Sequence, residues 1–274
     1  MARRRSVLCG FSTILFFIAF VWAPLQGQVA KESITVFAAA SLNDVFSAAA
    51  LDFQRTNPDI SISFNFAGSQ QLVQQIAEGA PADIFASANI PQMQKAAGTG
   101  RIDSTGEKIF AHNFLIVITP ANLSMKISAV RDLASSGLKI VLADKAVPVG
   151  HYTLEFLDQC NRDGAYGPDF KEKVLRNVVS YEENVRAVLS KVELGECDAG
   201  VVYTTDAASD TLHRISTIKI PDKLNLIADY PLALLNDSKH REAAEKFVHY
   251  ILSDAGRALL KRYGFIPPSP VAAH

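Results

Sequence analysis

The chain has 274 residues, 49% of them apolar and 20% charged, with a formal net charge of -1 and three cysteines. That composition excludes collagen, coiled coil, disordered tail and disulfide-dense scaffold. The near-neutral balance argues against nucleic acid as the main partner, because a phosphate-tracking surface needs a concentrated excess of Lys and Arg.

In chain order, Arg3, Arg4 and Arg5 precede the apolar run from Val7 to Trp22, and small residues follow as far as Ala30. Residues 1–30 read as a secretory signal peptide cut after Gly27 or Ala30, since the apolar run is shorter than the ~20 residues of a membrane span. Its removal takes away three arginines and no acid, moving the net charge from -1 to -4. Export puts Cys160 and Cys197 in an oxidising compartment. Two readings stand for them, one disulfide or two separate buried side chains.

The mature chain opens with a strand at Ser33–Ala40 and a helix entered at Ser41-Leu-Asn-Asp44, which Asn57-Pro58 stops. An alternating strand at Ile60–Phe66, a helix after Ala67-Gly68-Ser69, a strand at Asp83–Ser87 and a helix at Pro91–Ala97 follow. Strand alternating with helix is the signature of a parallel sheet with crossover helices, and the fold class is α/β. Further strands are predicted at Phe114–Thr119, Lys139–Ala143, Ala199–Tyr203, Ile215–Ile220 and Leu226–Tyr230. Helices are predicted at Thr153–Asn161, Glu183–Leu194, Lys239–Leu252 and Ala255–Tyr263.

In such sheets ligands sit beyond the carboxyl ends of the strands, where loops feed helix N-termini. Ser41 and Ser69 occupy two of these turns, each with a hydroxyl beside free backbone N–H groups; the plainer reading of either serine is a helix cap. The loop Asp144–Gly150 and the segment Ser180-Tyr-Glu-Glu-Asn184 offer two more helix starts. Either Ser180 or Asn184 can cap the second, and only the Asn184 register frees the Val185 N–H. Hydrolase elbow, P-loop, dinucleotide fingerprint and zinc-protease motif are all missing, and the six histidines are scattered.

Six segments in series carry a resemblance: Val36-Phe-Ala-Ala-Ala-Ser-Leu42, Phe66-Ala-Gly-Ser69, Gly79-Ala-Pro-Ala-Asp-Ile-Phe-Ala-Ser-Ala88, Val147-Pro-Val-Gly-His-Tyr152, Asn184-Val-Arg186 and Gly200-Val-Val-Tyr-Thr-Thr-Asp206. Together they resemble the periplasmic molybdate-binding proteins of ABC importers. The resemblance implies a two-lobed type II periplasmic binding protein fold, each lobe a mixed, mostly parallel sheet flanked by helices. It places lobe 1 at residues 31–112 plus 229–274 and lobe 2 at 113–228.

The same resemblance implies that Ser41, Ser69, Val149, Val185 and Tyr203 hold a molybdate or tungstate oxyanion, with no direct metal ligand, no cofactor and no catalysis. The implied setting is a periplasmic monomer that delivers its ligand to a membrane permease served by a separate ATPase. Three departures accompany it: Asn89 in place of an Asp common after Ser-Ala, Val149 in place of a usual Ala, and a longer segment around Gly164–Pro168. Two rivals stand beside this reading. One is a binder of another tetrahedral oxyanion such as sulfate. The other is an exported serine hydrolase using Ser41 or Ser69 with a histidine.

Overall fold

The computed structural model describes residues 31–123 and 127–269. The expected signal peptide at 1–30 lies outside the described residues. Among those described, no helix is long and apolar enough to cross a membrane.

The first half alternates strand and helix: β1 (Glu32–Ala39), α1 (Asn43–Thr56), β2 (Ile60–Ala67), α2 (Ser69–Ala77), β3 (Ile84–Ala86) and α3 (Ile90–Ala97). The long β4 (Lys108–Pro120) then leads to the second half. That half runs β5 (Ile140–Ala143), α4 (Pro148–Arg162), α5 (Phe170–Arg176), β6 (Val178–Glu182), α6 (Val185–Glu193), β7 (Ala199–Tyr203), α7 (Thr204–Ala208) and β8 (Ile215–Lys219). The chain returns along β9 (Ile227–Leu234) and ends with α8 (Arg241–Leu252) and α9 (Asp254–Arg262).

The strands line up as β2-β1-β3-β9-β4-β7-β5-β6, with β8 also on β4. β1 is parallel to β2 and β3, and β5 is parallel to β6 and β7, while β4 and β9 pair antiparallel. Each half therefore repeats a central strand between two parallel neighbours, joined to the other half by β4 and β9. On β1, Val36 and Ala38 face one apolar cluster and Phe37 the other, as the two-residue period of a strand buried on both faces requires.

β4 and β9, which join the two halves, run side by side. His112 faces Asp229 and Asn113 faces Ala228 in the β4–β9 ladder, and His112 Nδ1 lies 2.6 Å from Asp229 Oδ1.

Several boundaries differ from the sequence reading. β4 begins six residues before Phe114, because its first half gains its ladder from β9 while His112 and Asn113 interrupt the apolar pattern. β9 runs past Tyr230 through Pro231, which stands opposite Ile109 beside a bulge in β4. A bulge or edge is where a residue without an N–H is tolerated in a sheet. α5, β6 and α7 are elements the apolar spacing did not predict. β6 is a sheet-edge strand with Val179 and Tyr181 exposed, so its pattern carries no buried face to read. Cys160 and Cys197 are separate free thiols, both buried, with burial pushing their pKa values up to about 12 and about 11.

Candidate functional site

The two halves aim the carboxyl ends of their parallel strands at each other. Between them lies a small cavity with about 210 Å³ of space between the atoms, part of it open to solvent. Ala39 ends β1, Ala67 ends β2 and Ala88 follows β3, while Val147–Val149, Asn184–Val185 and Tyr203 close the other side. All five residues singled out by resemblance, Ser41, Ser69, Val149, Val185 and Tyr203, line this one cavity. No Lys, Arg, Asp, Glu or His is among its lining residues.

Neither serine caps a helix with its side chain. Ser41 sits inside the 3-10 turn Ala40–Leu42, and its Oγ is 3.0 Å from the Tyr230 hydroxyl. Ser69 is the first residue of α2, where Gly68 holds the cap position and donates its N–H to Gln71 Oε1 at 3.0 Å. Ser69 Oγ accepts the Ala88 N–H at 3.1 Å, which leaves its own proton available to the cavity.

The structure moves Val149 from the expected loop into a helix. Pro148 opens α4, five residues before the predicted start, so Val149 contributes a first-turn amide. Proline at the first helical position needs no N–H acceptor, and first-turn amides have no acceptor inside their helix. Gly150 completes the turn: a Cβ there would stand 2.1 Å from the Asp144 carbonyl oxygen. On α6 the alternative left open by the sequence is resolved for Asn184, whose Oδ1 accepts the Ala187 N–H at 3.0 Å. Val185 is then the first helical residue. The Tyr203 hydroxyl is buried and makes no hydrogen bond within the chain. Asn89, the departure in the first half, caps α3 by accepting the Gln92 N–H at 3.0 Å and stays off the cavity wall.

The sequence profile of the family described as bacterial extracellular solute-binding protein matches residues 34–266. The chain belongs to that family. It is similar to the molybdate-binding protein ModA of Mycobacterium tuberculosis, 34% identical over 245 residues that cover 89% of this chain and 87% of the relative. A solved structure titled as the substrate-binding domain of a putative molybdenum ABC transporter from Clostridium difficile superposes with a TM-score of 0.64 at 27% identity, covering 86% of this chain and 99% of the other. The sulfate-binding protein SubI of Mycobacterium tuberculosis superposes with a TM-score of 0.78 over 87% of this chain and 88% of its own, at 19% identity, a likeness of fold.

In this solute-binding protein the positive potential of the cavity comes from helix starts, not from cationic side chains. The N-terminal ends of α2, α4 and α6 and the 3-10 turn before α1 meet there, each carrying the positive end of its peptide dipoles. Burial, together with neighbouring Tyr230, Tyr152 and Asp206, raises the Tyr203 phenol well above its ordinary range, and burial does the same for Tyr230. Both hydroxyls therefore keep their protons as donors.

Behind the cavity wall lies a charged cluster that the sequence reading did not place. Arg186 Nε is 2.9 Å from Oδ1 of the fully buried Asp206, and Arg186 Nη2 is 2.6 Å from Asp44 Oδ2. Burial raises Asp206 from the usual 3.8 to about 6, Asp44 adding to the rise, against the lowering effects of Arg186 and the Tyr203 N–H. Between those two values the folded chain binds more protons at this group than the unfolded chain. Its contribution to stability therefore grows as pH falls from about 6 toward 3.8. Asp206→Asn removes that gain, so its urea midpoint should rise less, or fall more, than the wild-type midpoint between pH 7 and pH 5. Parallel pH profiles would refute the assignment.

Tyr230 and Arg186 had no local signal for these roles, because their partners Ser41 and Asp44 lie more than 100 residues away. Arg186 and Asp206 each stood inside a quoted motif, without a role read for either.

Proposed function

We propose that this chain captures molybdate, and tungstate equally as a dianion of the same shape, on the outer side of the cytoplasmic membrane and delivers it to an ABC importer. The observation that carries the reading is the buried, unpaired Tyr203 hydroxyl at a cavity lined by neutral donors and no charged side chain. A buried donor without a partner costs about 1–3 kcal/mol, which a ligand oxygen in the cavity recovers. Molybdate is fully deprotonated near neutral pH, so each of its oxygens only accepts. Ser41 and Ser69 hydroxyls, the Val149 and Val185 amides and the Tyr203 hydroxyl form an all-donor lining for it.

Phosphate keeps a proton near neutrality and wants a carboxylate acceptor, which the lining lacks. Sulfate is satisfied by the same donors, so its rejection rests on the size of the cavity. In this reading residues 31–112 with 229–274 form one lobe and 113–228 the other, Ser41 and Ser69 standing opposite Val149, Val185 and Tyr203. Ligand bridging them favours the closed form. That closed form is what a permease with a separate ATPase would receive. The chain acts as a periplasmic carrier and not as an enzyme, and the neighbours of the two serine hydroxyls support this: Tyr230 for Ser41 and the Ala88 amide for Ser69, with no histidine at either.

Titration calorimetry of residues 31–274 against molybdate, tungstate, sulfate and phosphate tests the proposal. Five or more charge-assisted hydrogen bonds, after ordering costs, support dissociation constants from nanomolar to sub-micromolar for the first two, about -8 to -12 kcal/mol. Molybdate binding at micromolar or weaker beside tight sulfate binding would assign the site to sulfate.

A further inference from the structure

Of the ion pairs among the described residues, one alone joins the segments 31–112 and 229–274 to the segment 113–228. It is Asp44–Arg186, 2.6 Å between Oδ2 and Nη2. Asp44 stands in the first turn of α1, three residues after Ser41, and Arg186 directly follows Val185. The pair thus connects the helix starts that carry two of the cavity's donors, one from each side.

The two partners are held differently. Arg186 is fixed to its own side before it reaches across: Nε lies against Asp206, and Nη1 donates to Ser209 Oγ at 3.1 Å. A planar guanidinium already held at two of its nitrogens loses little freedom on engaging a third acceptor. The Asp44 side chain, 42% exposed, makes no other ion pair or hydrogen bond. It lies at the rim of a groove lined also by Lys261, Arg262 and Tyr263, so water and salt reach it. Other polar bridges between the two sides are hydrogen bonds donated by neutral glutamine side chains. Gln70 donates to the Glu183 carbonyl at 2.8 Å, Gln71 to Glu183 Oε2 at 3.0 Å and Gln92 to the Ala146 carbonyl at 2.8 Å.

We propose that the Asp44–Arg186 pair is the latch that holds the two lobes closed and sets how long the bound ligand stays. The inference rests on the carrier reading above. Arg186 is the preset half of the latch and Asp44 the half that arrives on closure, so breaking the pair at Asp44 loosens the closed form without removing a ligand donor. Because the pair is exposed at one edge, its contribution weakens as salt rises.

The test is the dissociation rate of molybdate from wild type, Asp44→Asn and Asp44→Glu, each at low and high ionic strength. Asp44→Asn should release molybdate about 5- to 10-fold faster at low salt and near the wild-type rate at high salt. Asp44→Glu, which keeps the charge, should stay close to wild type at both. Equal rates and equal salt slopes for wild type and Asp44→Asn overturn the latch.

A second measurement separates failure of the latch from failure of the ligand assignment. Spin labels on Glu78→Cys and Lys219→Cys, both exposed positions on opposite sides, report the interlobe distance by pulsed electron resonance without added ligand. Asp44→Asn should shift the distribution toward longer distances. A wild type that does not bind molybdate defeats the ligand reading, while an unshifted distribution defeats the latch whatever the ligand is.

Discussion

Ser69→Ala should weaken molybdate binding about 10- to 100-fold and cost the fold about 1–3 kcal/mol. The first half of this expectation follows from the hydroxyl's surroundings. Its oxygen already accepts the Ala88 N–H, so its proton has no competing acceptor among the described residues and is free for a ligand oxygen. A hydrogen bond from such a donor to a charged oxygen is worth about 1.5–3 kcal/mol. The variant also leaves the buried Ala88 N–H without its acceptor, a cost the fold bears with or without ligand.

The cost to the fold is confined to that amide. Ser69 is the first residue inside α2 and not its cap, so no capping bond is lost, and alanine is a good helix former there. Calorimetry with molybdate and a thermal melt decide the matter together. Affinity within twofold of wild type would remove Ser69 from the site. A turnover of a reporter ester that wild type shows and Ser69→Ala loses would instead favour the hydrolase reading.

Gly68→Ala should act on closure, with an expected loss of affinity on the order of 100-fold. Gly68 has φ -60 and ψ 137, backbone angles open to alanine, so glycine is not required there for conformation. It is required for space. A Cβ would stand 2.5 Å from the Glu183 carbonyl oxygen, on the segment just ahead of Val185, and equally near the movable Gln70 side chain. Gln70 can turn away, whereas the carbonyl belongs to the opposing backbone and retreats only if the lobes part.

Parting them by about 1 Å, the gap between that contact and ordinary van der Waals distance, spoils hydrogen bonds whose optimum lies near 2.9 Å. The unfolded chain loses freedom through the same substitution, which tends to stabilise the fold by about 0.4–1 kcal/mol. A melting temperature at or above wild type beside a large loss of affinity is therefore the expected pair of results. Unchanged affinity would show that the lobes need not approach at Gly68 to hold ligand.

Much of this molecule was legible along the chain because its signals are local. Apolar spacing read β1, α1, β2, α2 and β3 in order, and β7 was read with its true ends. The candidate residues fall where strands deliver the chain to helix starts, which is also where short motifs are densest. Boundaries slipped where an element owes its order to distant partners. β4 began earlier through β9, α4 began at Pro148 where the motif suggested a loop, and β6 has an exposed face.

By itself the sequence determined the α/β class and the series of motifs, each set by neighbours within a few residues, while the five candidate donors came from the family resemblance those motifs carry. Only the tertiary structure decided that the five surround one cavity and that Asn184 rather than Ser180 caps α6. It also decided that Cys160 and Cys197 stay apart as thiols, and that Tyr230, Asp206 and Asp44 stand behind the donors. The physical reason is separation along the chain. Asp44 and Arg186 are 142 residues apart, and Ser41 and Tyr230 are 189 apart. No local propensity records such a pairing; packing of the two halves across β4 and β9 creates it.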